Sequence, residues 1–302
     1  MNAVIIGAGS IGGLIDTPKS ENTASHAHAY KKDSSCKLIA ICEPNKSNQK
    51  EFVNRWGKVN VYNDTKELFL KESIDILSIA TPTKLHFQNL KDALSVDSIT
   101  HILCEKPLVE TEFELEKLKD ILENSNKKIL INLIRRYDPS FIKLASQIKS
   151  NRWGKVLDFH GTFTKSLLHN GIHMLEVLSH FFGSIKNLQP LDNNFLVECQ
   201  NAKGSLACIE DLEYSLFELT IVFENAKIEI KEGGTRIDIC EKTTSSLYEN
   251  YSTLEYKESL DNTLQYYATN SLNFLLKENC STCKAILKEH IRLHEIIFKA
   301  IK

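Results

Sequence analysis

The stretch MNAVIIGAGSIGG, residues Met1 to Gly13, decides how the rest of this 302-residue chain is read. Val4, Ile5 and Ile6 form a short apolar run, and Gly7, Gly9 and Gly12 follow it as G-x-G-x-x-G. An apolar run that breaks into glycines predicts a buried parallel strand turning tightly into a helix. Gly7 would permit the tight turn, Gly9 would let the backbone approach a pyrophosphate, and Gly12 would let helix and strand pack closely. A helix N-terminus then offers unpaired N–H groups to the phosphates, so Gly7, Gly9, Ser10, Ile11 and Gly12 are candidate cofactor-binding residues. The motif alone is weak, and its meaning depends on what surrounds it.

Strand, turn and helix then recur along the chain. The segment from Leu14 to Ser25 carries Asp16, Pro18 and several small polar residues and reads as an inserted loop, either a longer surface turn or a flap over a ligand. Helical character resumes at His26. Lys37 to Cys42 predicts a second strand, and Glu43 at its end is placed to accept hydrogen bonds from ribose hydroxyls. Pro44, Asn45 and Lys46 come next, with no arginine set for a 2′-phosphate, which favours NAD over NADP. Further strands are expected at Val59–Tyr62, Asp75–Ala80, Thr100–Cys104 and Lys128–Leu133, and Asp64 and Thr111 open helices as caps. Short apolar strands alternating with helices imply a doubly wound parallel sheet covered on both faces. Its ligands bind at the carboxyl ends of the strands. The glycines, Glu43, Thr81-Pro82, Glu105-Lys106-Pro107 and Arg135-Arg136 all fall at such ends.

Beyond Pro139 the texture changes. A helix over about 140–150 leads to a strand at Val156–Thr164 and a helix from His169 to Phe182. Strand-like runs then follow one another without helices, at 195–200, 205–210, 217–223, 227–231, 235–240 and 247–251, which predicts an antiparallel sheet. Two helices, about 263–277 and 283–300, close the chain. The expected architecture is a doubly wound α/β domain over 1–134 and an α+β domain with a mainly antiparallel sheet over 135–302.

A net charge of -2 and 25% charged residues give no electrostatic case for nucleic acid or an acidic membrane surface. No basic segment precedes an early apolar run, and no stretch approaches the ~20 apolar residues of a membrane span. The eight cysteines are scattered, and the one CxxC, Cys280 to Cys283, lacks a second ligand pair. No metal is therefore expected, and reduced thiols in a cytoplasmic setting are.

The motifs together resemble the glucose–fructose oxidoreductase / inositol dehydrogenase / MocA-like family over nearly the whole chain. The carriers are the glycine turn, Thr81-Pro82-Thr83 with His86, Glu105-Lys106-Pro107, Arg135-Arg136-Tyr137-Asp138-Pro139, Trp153-Gly154-Lys155-Val156 and His169-Asn170-Gly171-Ile172-His173. The Glu-Lys-Pro tripeptide is far more specific than the glycines. The resemblance implies a Rossmann domain, a C-terminal open sheet with helices on one face, and a nicotinamide cofactor held also by Thr81, Pro82, Thr83, His86, Glu105, Lys106 and Arg136. It implies a sugar, polyol or nucleotide-sugar substrate met by Lys106, Arg135, Asn170 and His173, and a homodimer or homotetramer formed on the exposed sheet face. The inserted turn, followed by Ser-His-Ala-x-Ala-Tyr, is similar to a subgroup associated with bacterial surface-polysaccharide gene sets.

The resemblance assigns the chemistry to Lys106 and His173. The Lys106 ammonium would stabilise a developing alkoxide, and His173, titrating near neutrality, would serve as general base or acid. Related enzymes carry Asp one helical turn before that histidine. Here His169 stands in its place, so a carboxylate that would orient His173 is missing and His169 joins the catalytic candidates. Three readings remain open: a sugar oxidoreductase, a catalytically silent cofactor sensor, and a glycosidase that uses NAD transiently.

Overall fold

The computed structural model describes residues 1–192 and 194–302. They fall into two compact units, residues 1–134 with 265–295, and residues 135–264 with 296–302.

The first unit is built on six parallel strands: β1 (Asn2–Ile6), β2 (Lys37–Cys42), β3 (Asn60–Tyr62), β4 (Ile76–Ile79), β5 (His101–Cys104) and β6 (Lys128–Ile131). Their order is β3-β2-β1-β4-β5-β6. Every residue of β4 is buried, as a central strand covered by helices on both faces requires. The connecting helices are α1 (His26–Lys32), α2 (Lys46–Trp56), α3 (Thr65–Lys71), α4 (His86–Leu94) and α5 (Glu112–Asn124). Chain direction across the sheet reverses between β1 and β4, and the crevice beyond their carboxyl ends is where ligands of such sheets bind.

The glycine turn is forced by contact. Gly7 has φ +91°, and a Cβ there would sit 2.7 Å from the carbonyl carbon of Ala80. A Cβ on Gly12 would sit 1.9 Å from the Gly7 carbonyl oxygen. The helix expected at once after the glycines is instead a single wide turn, Ser10–Leu14, in which Leu14 N–H donates to Gly9 O. The insert intervenes, and the true helix waits for Ser25, whose side chain accepts the His28 N–H as its cap.

The second unit begins with α6 (Pro139–Lys149) and carries eight strands: β7 (Val156–Thr164), β8 (Ile185–Leu191), β9 (Asn194–Cys199), β10 (Lys203–Ile209), β11 (Phe217–Phe223), β12 (Ala226–Lys231), β13 (Arg236–Thr244) and β14 (Ser252–Leu260). The sheet order is β14-β13-β12-β11-β7-β10-β9-β8. All pairings are antiparallel except β7 with β10. α7 (Ile172–Phe182) packs on β8 and β9. Strands β11 and β12 alternate buried with less buried positions, the signature of a sheet with one covered face. The strand expected at 247–251 is a turn, and the last strand starts at Ser252. β8 escaped the sequence reading because Pro190 and four other exposed positions mask its alternation.

The expected second domain over 135–302 needs correction. Residues 265–295, with α8 (Tyr267–Lys277) and most of α9 (Cys280–Ala300), pack within the first unit. The reason is local chemistry: α8 lies against α1, β5 and β6, and Thr23 N–H donates to Gln265 O at 2.9 Å.

Asp138 ties the start of the second unit together. It is fully buried and accepts from Ser140 N–H at 2.8 Å, the Ser140 hydroxyl, Thr263 N–H at 3.2 Å and the Thr263 hydroxyl at 2.6 Å. Asp138→Ala strands these donors and removes the α6 cap, so it is expected to cost about 3 kcal/mol. A lower denaturant midpoint would show this; an unchanged midpoint would contradict it.

Candidate functional site

The glycine turn in the first unit leaves one glycine open and encloses two others. A Cβ at Gly9 would meet nothing within 4 Å, so the chain there borders open space, whereas Gly7 and Gly12 are enclosed by backbone. Ser10 is exposed and Ile11 half-buried beside it. That contrast fits a pyrophosphate approaching Gly9. Glu43 is buried at the end of β2. Its Oε2 accepts the Ala8 N–H and its Oε1 the Asn45 N–H, each at 2.9 Å. The carboxylate proposed for a ribose thus also clamps the glycine turn.

The Glu105-Lys106-Pro107 loop follows β5 and is held by three buried histidines from three helices. His26 Nε2 lies 3.0 Å from Glu105 Oε1. His86 places Nδ1 2.8 Å from Pro107 O and Nε2 2.8 Å from Thr81 O, joining the Thr81-Pro82 turn to this loop. His294 Nε2 accepts the Leu108 N–H at 2.9 Å, while its Nδ1–H donates to His290 O at 2.7 Å. Lys106 itself is half-buried, whereas Pro82 is exposed and Thr83 half-buried. Burial works against the charged form of Glu105. The His26 hydrogen bond and charge, the Asn132 hydrogen bond and the Lys106 charge outweigh it and hold the carboxyl below the ordinary glutamate range.

The insert is anchored at its base. Asp16 is buried; its Oδ2 accepts the Ala24 and Ser25 N–H groups at 2.7 and 3.0 Å and faces His28 Nδ1 at 3.0 Å. Its Oδ1 accepts the Ser25 hydroxyl. Arg55 of α2 donates to the carbonyls of Leu14 and Asp16, and Trp56 Nε1 to Gly13 O. A segment whose two ends share one buried carboxylate is a fixed turn there, while Thr17, Pro18, Lys19, Glu21 and Asn22 between those ends are exposed.

The remaining candidates belong to the second unit. Arg135, expected at the substrate, is packed inside it: the guanidinium lies 3.5 Å above the Phe217 ring and donates to Gly233 O. Burial lowers its pKa to about 9. Arg136 pairs with the buried Glu176 at 3.2 Å. His169 is exposed; its Nδ1 meets Ser166 Oγ at 2.8 Å, and it lines a cleft of about 300 Å³ with Asp192, Cys208 and Glu210. His173, half-buried at the start of α7, does not line that cleft, because the wide turn over Leu167–Gly171 breaks the helical phase between the two histidines. Asn170 is half-buried in the same turn. Among the described residues no group of His, Cys, Asp and Glu is arranged to hold a metal ion.

Sequence reasoning missed His26, Asn132, Asp16 and His294 as supports of these loops. The buried face of His26-Ala-His-Ala-Tyr30 was a local signal for the first. Nothing in the neighbourhood of His294 points to a loop 186 residues earlier.

Residues 1–133 match the GFO_IDH_MocA model, described as an oxidoreductase family with an NAD-binding Rossmann fold. An oxidoreductase from Formosa agariphila is 24% identical over 213 residues, covering 63% of this chain and 63% of that protein. The D-glucoside 3-dehydrogenase of Escherichia coli is 22% identical over 61% of this chain and 54% of its own length. The chain therefore spans about half to two-thirds of these relatives. A 3-ketoreductase from Actinomadura kijaniata, solved in an open conformation with TDP-benzene and NADP, has the same fold, with TM-score 0.74 and 16% identity over 99% of this chain and 96% of that one.

His294 generates a stability prediction. Burial foremost lowers its pKa from 6.5 to about 4, against the His290 carbonyl, which raises it. Above 6.5 the ring is neutral folded and unfolded; as pH falls toward 4 the unfolded chain takes the proton first, so stability is lost across that window. Wild type should lose about 3 kcal/mol more than His294→Gln over this range. Parallel pH curves from chemical unfolding would refute the assignment.

Proposed function

We propose that this chain, which belongs through residues 1–133 to the GFO_IDH_MocA oxidoreductase family with its NAD-binding Rossmann fold, transfers a hydride between nicotinamide and a hydroxyl or ketone carbon of a sugar, polyol or nucleotide sugar. The observation that carries the reading is the Glu105-Lys106-Pro107 loop, braced by His26, His86 and His294 at the carboxyl end of β5. The names of relatives support the substrate class: one acts on a D-glucoside, and another, a 3-ketoreductase, was solved with a TDP ligand.

NAD would rest on Gly7, Gly9, Ser10, Ile11 and Gly12, with Glu43 toward a ribose and Thr81, Pro82, Thr83, Glu105 and Arg136 as further contacts, while the buried His86 would hold the Thr81 turn behind them. Bound there, nicotinamide would supply the hydride acceptor or donor. Lys106 Nζ would hydrogen-bond the reacting oxygen and stabilise it as it gains negative charge. His173 would take or return the hydroxyl proton. Its Nδ1 is buried, so the exchange falls to Nε2. Arg135, fixed over Phe217, would act by shaping the second unit and not by touching substrate.

Eight free cysteines support a reducing, cytoplasmic setting. Exposed Leu157, Leu196, Leu254 and Tyr256 on the strands of the second sheet support association of like chains on that sheet. One observation favours a second reading, a cofactor sensor without turnover: His169 replaces the expected carboxylate and pairs with Ser166.

Lys106→Ala separates the two readings. With NAD and a panel of free sugars, inositols and UDP- and TDP-sugars, turnover should fall by about 10²–10³ relative to wild type, while NADH binding by calorimetry persists. Wild-type turnover undiminished by the substitution would overturn the role of Lys106. Wild-type NADH binding with no turnover on any member of the panel would favour the sensor.

A further inference from the structure

We infer that His26 is a positioning residue: it fixes one oxygen of the Glu105 carboxylate so that the other is presented to the cofactor. The inference rests on the proposed oxidoreductase function. His26 is 2% exposed, so it meets no ligand itself and acts through the residue it holds.

The geometry is asymmetric at Glu105. Oε1 receives two donors, His26 Nε2–H at 3.0 Å and Asn132 Nδ2–H at 2.6 Å. Oε2 has no hydrogen-bond partner among the described residues, and the side chain keeps 14% exposure. A carboxylate buried only to complete a core would need donors on both oxygens. Here one oxygen is saturated from inside and the other is left for a donor from outside, such as a ribose hydroxyl.

Both internal donors are themselves oriented. A carboxylate oxygen only accepts, so His26 Nε2 must carry the proton. His26 Nδ1 then faces Ser78 Oγ at 2.9 Å, and Ser78 Oγ faces the Tyr30 hydroxyl at 2.7 Å. When the His26 ring is neutral its Nδ1 accepts the Ser78 hydroxyl proton, which leaves Ser78 Oγ to accept from the Tyr30 hydroxyl. The chain of donation runs from Tyr30 to Ser78 to His26 to Glu105. On the other side, Ser271 donates to Asn132 Oδ1 at 2.7 Å, which turns the Asn132 amide nitrogen toward Glu105. Residues from α1, β4, α8 and the ends of β5 and β6 converge on one oxygen atom. Such chains polarise each link and fix a single orientation.

Two amide substitutions test this. Gln at position 26 places its amide nitrogen where Nε2 was and can still donate to Glu105. Asn keeps a polar group near Ser78 but does not reach Glu105. By NADH fluorescence titration, His26→Asn should weaken binding about tenfold and His26→Gln should recover to within about threefold of wild type. In a Glu105→Gln background the His26→Asn effect should shrink to less than about twofold. Should His26→Asn fail to fold, Ser78→Ala provides the second route: a loss of about threefold that likewise vanishes with Glu105→Gln. The inference is overturned if Asn and Gln weaken binding equally, if Asn has no effect, or if the effect persists undiminished without the Glu105 carboxylate. Absence of NADH binding by wild type defeats the proposed function instead, and it is seen before any variant is made.

Discussion

A buried carboxylate must replace the water it has lost, and at Glu105 that requirement organises the first unit. Removing an ionised group from water costs several kcal/mol unless donors are supplied. The donors come from α1 and the end of β6, and each is steadied by a further residue on β4 or α8. The carboxyl ends of the central strands are therefore joined by side-chain hydrogen bonds as well as by the backbone ladder. Lys106 follows Glu105 directly, and His86 and His294 secure Pro107 and Leu108 on its other side. The loop is thereby held by side-chain hydrogen bonds on both sides of Lys106, the fixed setting that the electrostatic role proposed for Lys106 would need.

The second unit solves a similar problem with different groups. Asp138 collects donors from both ends of a chain segment running from α6 to Thr263. Arg135 trades hydration for a ring face and a carbonyl. Neither lies on the regular ladder of the eight-stranded sheet. Both sit just before α6, where the second unit begins, so the Arg-Arg-Tyr-Asp-Pro motif combines two buried charged groups, Arg135 and Asp138, with a half-buried Arg136 and an exposed Pro139.

Much of this was legible in the sequence because it obeys local rules. The glycine turn, the alternation of short apolar strands with capped helices and the Glu-Lys-Pro tripeptide each express a constraint within a few residues. Thr111 with Glu114 forms the capping box that their spacing announced. What was not legible depends on distance. No periodicity tells that α8 returns to the first unit, that Asn132 serves Glu105, or that Asp16 seals the insert. The wide turn before α7 was hidden as well. His169 and His173 stand four apart, which predicts one helix face, but the backbone changes pitch between them.

The return of α8 has a consequence for how the chain acquires its shape. Tyr267 reaches the carbonyl of Ala24 across 243 residues, and Ser271 reaches Asn132 across 139. During synthesis all six parallel strands leave the ribosome long before these partners exist. The sheet can pair early, but the insert and the loop beside Lys106 must wait with unsatisfied polar groups until nearly the whole chain is made. Closing so large a loop is slow, although its entropic cost grows only logarithmically with length. The nucleotide half of the molecule is thus first to begin and among the last to finish, so a nascent chain cannot present a completed cofactor site before the second sheet has been synthesised.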